Sequence, residues 1–521
     1  MPSPYITKVY LLNVPLESDL KNTLYFANAS AQQSYFQSVI QKSYTDFSYQ
    51  RKDHFIRVPA QYDTLANCNY VMYQNSAYSN KWFYAFITRM EYVDDGRTDI
   101  YIETDVMQTY MFDITVKSSF VEREHVNNDT VGLHTVPENV ETGEYVCNSV
   151  DRDNELNELA VVLRVTMQVP TGEGEPIHEY ATSYGGIWEA GGAYIFDNTT
   201  SGLTMMVNVI KAYDDNGYGD AITAVYAVPK KVINDTSPQE AHYSGQLSPV
   251  TYTHTTTKPS SLNGYTPVNN KLLTFPYCYI LNSNNNGSSN VLQYENFSTN
   301  DCQFEISGVP TIGASIKCSP KNYKNAEVNQ EEGLMCGKFP TMSWSQDLYT
   351  NWLTQNAVNI GVGIASNALG IIGGAGLLGA GGGMAGAGMI TSGALGIASS
   401  IGQIYEHSLQ PPVAKGNTNG GDINTCNSKN KFYFYHMTIK AEYAQIIDNY
   451  FSMFGYKVNR VKVPNKAHRA RWWYTKCIDV NIDGPVPNDD MQKIKNAYND
   501  GITFWRNASE IQNYSLSNNI V

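Results

Sequence analysis

Between Asp347 and Glu406 the chain runs for 58 residues, Leu348 to Tyr405, without one Asp, Glu, Lys, Arg or His. Ordinary charge spacing in a soluble protein does not leave such a gap by chance. Its centre carries Ile360, Ile364, Leu369, Ile371, Ile372, Leu377, Leu378, Met384, Met389, Ile390, Leu395, Ile397 and Ile401, set among 15 glycines from Gly361 to Gly402. A spanning helix takes about 20 mostly apolar residues. The segment could supply two, with Gly381-Gly382-Gly383 as the turn between them. Small residues four apart, Gly370/Gly374 and Gly379/Gly383, would let such helices approach closely.

Three readings compete for this stretch. A constitutive transmembrane hairpin lacks the flanking Lys/Arg clusters and the Trp/Tyr girdle that normally fix one. A buried structural segment would bear the cost of glycine, about 0.5–1 kcal/mol per interior position relative to Ala. The third reading is a conditional membrane inserter, stored away from water and later released. Glycine keeps such a segment adaptable and lowers the barrier to leaving its stored state, and the sequence favours this reading.

Outside the segment the texture is that of strands. Charged residues make up only 16% of the 521, against 40 Gly and 38 Tyr. Aromatic and β-branched residues separated by Gly, Asn, Asp and Ser predict many strands joined by turns, a mainly β (β-rich α+β) chain of about three or four domains. The net charge of −13 excludes a general nucleic-acid coat, which needs a cationic surface. An acidic wall suits a conduit through which DNA slides, and equally suits plain solubility. The eight cysteines include no two within four residues of each other, so they read as scattered buried thiols without a zinc or redox pair. Met1-Pro2-Ser3-Pro4-Tyr5 has no basic stretch leading into an apolar one, which predicts synthesis in a cytoplasm without a secretory signal.

Local patterns sharpen this. Phe83–Val93 and Thr98–Glu103 flank Asp94-Asp95-Gly96, a hairpin signal, because Asp and Gly tolerate the positive φ of tight turns. Asp105–Phe112 spaces apolar residues for one or two helical turns. From about 130 to 270 the texture loosens, as in an inserted, more exposed domain. Tyr433, Tyr435, Met437, Ile439, Ala441 and Tyr443 alternate with Phe434, His436, Thr438, Lys440 and Glu442, predicting a strand whose greasier face is the first set. A short helix, Gln445–Met453, and a strand, Tyr456–Val463, follow. Lys457, Arg460, Lys462, Lys466, Arg469, Arg471 and Lys476 then interleave with Trp472, Trp473 and Tyr474. Such interleaving can serve single-stranded nucleic acid, but solvated charges and ion pairs to acidic neighbours explain it more simply.

Catalytic and cofactor motifs do not stand up. Gly374–Gly379 spells GxGxxG, yet no strand precedes it and the first acidic residue after it, Glu406, lies in a polar linker. Asp214-Asp215-Asn216-Gly217 lacks the downstream Glu of a calcium loop and reads as a solvated turn. His125, beside Glu122 and Glu124, reads as an ordinary surface or strand-end histidine. No HExxH or GxSxG occurs among the nine histidines and the serines. The expectation is a protein that is not an enzyme, with no cofactor, no metal and no catalytic residues.

Several segments together resemble one family. Tyr73–Tyr78 followed by Asn80–Phe86, then Glu103–Ile114, Arg123–Val126, Gly455–Lys462 with Pro464-Asn465, Gly501–Trp505 and Asn513–Ser515, are similar in order and character to the tail knob proteins of short-tailed phages of the phi29 type. The resemblance covers roughly 1–130 and 270–521, and the region between departs from it. It implies tail-tube-like β domains forming a ring or tube at the distal end of a virion tail, with an inserted knob domain and a long hydrophobic loop. It implies a homohexamer that joins other tail proteins at the proximal tube and passes genomic DNA through its lumen without sequence-specific binding. The loops would plug the tube and then enter the host cell membrane as a pore.

The organisation expected is a tube domain over 1–130, a knob domain over 131–270, a further β domain over 271–345, the membrane-active loop over 346–412 and a C-terminal tube domain over 413–521. The basic tract Lys457–Lys476 is expected at subunit contacts or on the outer wall, away from the bore. The rival is a receptor-binding or adsorption tail protein in which 131–270 reads the cell surface.

Overall fold

The computed structural model describes residues 6–165 and 250–323 apart from short breaks, parts of 167–244, residues 340–343 and 422–424, and all of 431–521. The chain divides into two units, each assembled from separated stretches. One comprises Met1–Glu144, Gly264–Leu273 and Lys440–Val521, the other Tyr145–Asn263 and Thr274–Ile439.

Strand alternation builds the first unit. Its seven-stranded antiparallel sheet runs in the order Ile40–Tyr44, Ile6–Leu12, Tyr70–Asn75, Lys81–Asp94, Arg97–Thr104, Phe55–Val58, Ser48–Gln50. Successive side chains point to opposite faces, and here both faces are buried. Val71 and Tyr73 join Val9, Leu11, Ile56 and Ile100 in one core. Tyr70 and Met72 join Leu12, Phe36, Tyr84, Trp472 and Trp505 in another. The two tryptophans come from a second sheet, ordered Asn22–Leu24, Ile502–Trp505, Trp472–Ile478, Ser119–Glu124, Tyr456–Lys462. The N-terminal stretch therefore closes its core only with residues from the far end of the chain.

The predicted hairpin is present, Lys81–Asp94 pairing with Arg97–Thr104. Its turn is closed by the Asp94 carboxylate, which accepts from the Gly96 N–H at 2.9 Å. Neither Asp95 nor Gly96 adopts a positive φ. The predicted helical turn is Val106–Tyr110, and its cap Asp105 accepts from the Gln108 N–H. Behind it, Gln32 Nε2 donates to the Gln108 carbonyl, and Gln108 Nε2 donates to Thr23 Oγ1 and the Leu24 carbonyl, each at 2.8 Å. These amides tie helix Ala29–Ser38 to the shorter helix and to the edge strand Asn22–Leu24.

The second unit holds three larger sheets. Tyr145–Arg152, Tyr433–Ile439, Cys278–Ser283 and Ser289–Leu292 form one of four strands. Ile222–Pro229, Leu159–Val165, Gly192–Asp197 and His242–Ser244 form another, against which helix Thr200–Asp215 packs. Val250–Thr257, Asp301–Gly308, Ser315–Pro320, Thr341–Ser343 and Asp422–Asn424 form the third. Asp214-Asp215-Asn216-Gly217 is the end of that helix. Gly217 takes φ +73 and the Tyr218 N–H closes onto the Tyr213 carbonyl at 2.8 Å, a six-to-one closure favoured where glycine follows a helix.

Two expectations need correction. The strand at 433 ends at Ile439, and Ala441 and Tyr443 belong to helix Ala441–Phe454, which begins four residues before the predicted start. The buried face of that strand is Phe434, His436 and Thr438, not the tyrosine set. His436 is admitted to the core because its two ring nitrogens meet the hydroxyls of Tyr294 and Thr256, and burial lowers its pKa, favouring the neutral ring. Tyr433 and Tyr435 keep their hydroxyl ends on the wetter side, stacked on each other at 5.9 Å.

Six cysteines are described. All are free, and five of them, Cys68, Cys278, Cys302, Cys318 and Cys477, are buried. Cys147 is exposed. Cys336 and Cys426 lie outside the described residues.

A pH test follows from the Asp105 cap. It accepts from the Tyr70 hydroxyl at 2.8 Å and from Gln108 N–H at 3.0 Å, yet burial still lifts its pKa from 3.8 to about 6. A raised carboxyl favours the folded state fully below its unfolded pKa and loses that advantage as pH rises through the folded value. Asp105→Asn keeps an acceptor for Gln108 and cannot ionise. Unfolding free energies from denaturant titrations at pH 4 to 7 should fall for the native chain relative to the variant, by on the order of 3 kcal/mol across the window.

Candidate functional site

The uncharged segment is bracketed in sequence by two short strands that pair with each other. Thr341–Ser343 pairs parallel with Asp422–Asn424, in the register Thr341 to Asp422, Met342 to Ile423 and Ser343 to Asn424. Parallel strands cannot be joined by a tight turn and require a crossover of a dozen or more residues. The crossover here contains the whole of Leu348–Tyr405. The membrane-facing residues predicted between Ile360 and Ile401, and the Gly374–Gly379 motif, lie outside the described residues. Among the described residues no helix is long and apolar enough to cross a membrane.

The sheet that carries this root is well supported. Thr341–Ser343 pairs with Ser315–Pro320, which pairs in turn with Asp301–Gly308. The Cys318 N–H donates to the Pro340 carbonyl at 3.1 Å, holding the chain just before it departs. Cys302, Phe304, Ile306, Ile316 and Cys318 are fully buried. Phe304 lies 4.4 Å from Phe434, and His254 stacks on the same ring at 4.6 Å. The fixed end of the excursion is thus a packed sheet within the second unit.

The first unit is held by buried charge. Glu138 has no exposed side-chain surface, and its carboxylate meets Arg123 and Lys271 and accepts the Lys457 N–H at 2.8 Å. Arg123 also donates to the Gly455 carbonyl at 2.7 Å, and Lys271 to that of Val136 at 2.8 Å. Burial pulls the Lys271 pKa down, opposed by the nearby Glu138 carboxylate. Gly455 is required where it stands. It ends helix Ala441–Phe454 at φ +66, and a Cβ there would lie 2.2 Å from the Glu124 carbonyl. On the same helix Asp448 accepts from the Tyr265 hydroxyl at 2.8 Å, Val268 N–H at 2.7 Å and Asn269 N–H at 3.0 Å. Residues 126–144 and Gly264–Leu273, where the chain leaves and re-enters this unit, are therefore pinned by ionic and charge-assisted bonds.

Much of the basic tract is paired or buried inside the same unit. Lys462 pairs with Glu124, Arg471 with Glu510 and Lys476 with Glu122. Arg469 is buried and donates to the Val126 carbonyl at 2.7 Å. Trp472 and Trp473 are core residues, which removes the stacking surface that nucleic acid would need. His125 follows the strand Ser119–Glu124 but is buried rather than on the surface. Desolvation, then Arg469, pushes its pKa down to about 3. Its Nδ1 accepts the Tyr474 N–H at 2.8 Å and its Nε2 faces the Ser452 carbonyl, so it pins backbone and is unsuited to acid–base work. Glu138 and Lys271 escaped the sequence reading, because no local spacing signals a pair 133 positions apart.

Comparison with known proteins gives a consistent picture. A family model described as the C-terminal domain of tail knob protein gp9 of Bacillus phage phi29 matches residues 243–519, more than half of the chain. Another, the caudoviral major tail protein N-terminus, matches residues 6–116. Tail knob protein gp9 of Bacillus phage PZA is 27% identical, with 98% of each chain covered. Its counterpart in Bacillus phage B103 is 26% identical, over 98% of this chain and 97% of that one. In three dimensions the chain is similar to the tail knob protein gp12 of bacteriophage C1. The TM-score is 0.58 at 16% identity, covering 99% of this chain and 100% of that one, a likeness of fold.

Glu138→Gln tests the buried hub. It strips the charge facing Arg123 and Lys271 while keeping the shape, which leaves two cations uncompensated. The expected loss is about 3–5 kcal/mol, read as a lower thermal midpoint by calorimetry. A change below about 1 kcal/mol would show that the hub is not holding the unit together.

Proposed function

The chain belongs to the family of the phi29 tail knob protein gp9, a structural protein of the virion tail, and from that premise we propose that it forms the distal tail tube as a homohexameric ring through which the genome is ejected. In this reading the hydrophobic loop of 346–412 plugs the tube. It then leaves and enters the host cell membrane, where loops from several subunits surround a pore. The proximal tube is met by other tail proteins, and DNA passes through the lumen without being gripped. Synthesis is in the host cytoplasm, and the role is structural rather than enzymatic.

One observation carries the reading: a 58-residue uncharged stretch enclosed between two adjacent parallel strands of a packed sheet. A segment rooted at one place can be stored, extended and still remain attached. Apolar surface of this extent left in water invites aggregation, so it must be enclosed until it is used. At a bilayer, two stretches of about 20 residues per subunit could insert as helices that satisfy their own backbone groups. The pairing of the basic tract to Glu122, Glu124 and Glu510 supports a lumen that does not hold DNA through those lysines and arginines.

Removing Ile360–Ile401 should leave assembly intact, because the root strands lie outside the deletion. The same variant should lose dye release from liposomes and genome delivery. Leu377→Asp with Leu378→Asp should do likewise, since charge at mid-membrane costs about 2.5–3.5 kcal/mol per residue. Undiminished permeabilisation by the deletion variant would sink the assignment.

A further inference from the structure

One face of the five-stranded sheet in the first unit is only half covered. Helix Ala441–Phe454 closes the Tyr474 end, with Phe454 against Tyr474 at 5.2 Å. The other end is open. Phe120 lies in register with Val461 on one side and Ile478 on the other, and the three form an apolar row across adjacent strands. They are 37%, 66% and 54% exposed. Where row and helix meet, a cleft of about 300 Å³ is lined by Tyr450, Phe454, Tyr474, Glu122 and Lys457. Among the described residues Lys457 has no ion-pair partner, and Tyr456–Lys462, which carries it, is an edge strand.

The same unit exposes a complementary feature. At the tip of the Lys81–Asp94 and Arg97–Thr104 hairpin, Tyr92 is 60% and Val93 38% exposed. Beside them in sequence are Glu91, Asp94 and Asp95, and the Asp95 carboxylate accepts from the Tyr92 hydroxyl at 2.5 Å. Glu91 pairs with Arg89, whereas Asp94 and Asp95 have no ion pair among the described residues. An aromatic and an aliphatic side chain flanked in sequence by carboxylates match an aromatic cleft and an apolar row beside Lys457.

We propose that the hairpin tip of one copy docks on this open face of a second copy, with Tyr92 entering the cleft, Val93 against the Phe120 row, and Asp94 and Asp95 facing Lys457. Both surfaces are exposed on the same chain. A contact between two different patches is heterologous, and repetition closes a ring if the rotation permits. It would also cover an unpaired strand edge, which soluble proteins rarely leave bare. Such a contact presupposes the ring proposed above and names the surfaces that make it.

A charge-swap cycle tests it by light scattering at low salt. Asp95→Lys alone and Lys457→Glu alone should each raise the concentration at half-assembly about tenfold or more. Both changes in one chain should bring it back toward the native value. Tyr92→p-benzoylphenylalanine, irradiated in a mixture with isotopically heavy chain, should cross-link to heavy peptides containing Phe120, Tyr450 or Val461. A native chain that forms no ring overturns the ring reading itself, and this contact with it. Rings that form while the charge variants assemble normally, or cross-links that fall elsewhere on the heavy chain or on another tail protein, overturn the contact and leave the ring standing.

Discussion

The strand Ser119–Glu124 sits between Tyr456–Lys462 and Trp472–Ile478, and that placement governs the rest of the chain. No sheet can be closed around it until the last third has been made. The chain therefore leaves this unit after Glu144, returns for Gly264–Leu273, and comes back for good at Lys440. The cost of such long closure grows only slowly with length, each doubling adding about 0.6 kcal/mol. A fold already committed to one long excursion can lengthen it, or nest another within it, at small further cost. The uncharged segment is such a nested excursion, rooted in the second unit as the second unit is rooted in the first.

Long closures need firm ends, and the two kinds of end differ. The first unit fixes its exits with charge: Glu138 against Arg123 and Lys271, and Asp448 against the backbone of Val268 and Asn269. Charges so placed are costly to desolvate and costlier to leave unpaired, so they admit one arrangement of the passing chain. The root of the uncharged segment uses backbone pairing at a sheet edge, on a sheet whose interior is apolar and aromatic.

Much of the fold could be read from the sequence, because the relevant signals are local. The Asp94–Gly96 turn, the Asp105 cap and the period-two strands of the first 125 residues depend on neighbours a few positions away. The misreadings share a cause. Tyr433 and Tyr435 look more apolar than His436 and Thr438, yet the latter face the core, because Tyr294 and Thr256 arrive from 142 and 180 positions away to satisfy His436. Helix Ala441–Phe454 begins inside what alternation assigned to a strand, since two periods fit a short run equally well. Glu138 gave no signal, its partners being remote. The root was invisible for the same reason, although the charge-free stretch it encloses was the plainest feature of the sequence.

The difference between the two kinds of anchor bears on the order in which parts of this protein would yield. A backbone hydrogen bond contributes about 0.5–1.5 kcal/mol net, so a three-residue parallel pair at an edge is a weak tie. Breaking a buried ionic hub costs about 3–5 kcal/mol. Local openings follow these differences, and the weakest cooperative region opens first. The edge strand Asp422–Asn424 could detach from Thr341–Ser343 while Ser315–Pro320 and Asp301–Gly308 keep their packing on Phe434. Release of the proposed loop would then require neither the ionic hub nor the apolar core of its own sheet to open. A part that must move has been given the lightest fastening, and the parts that must stay carry the buried charge.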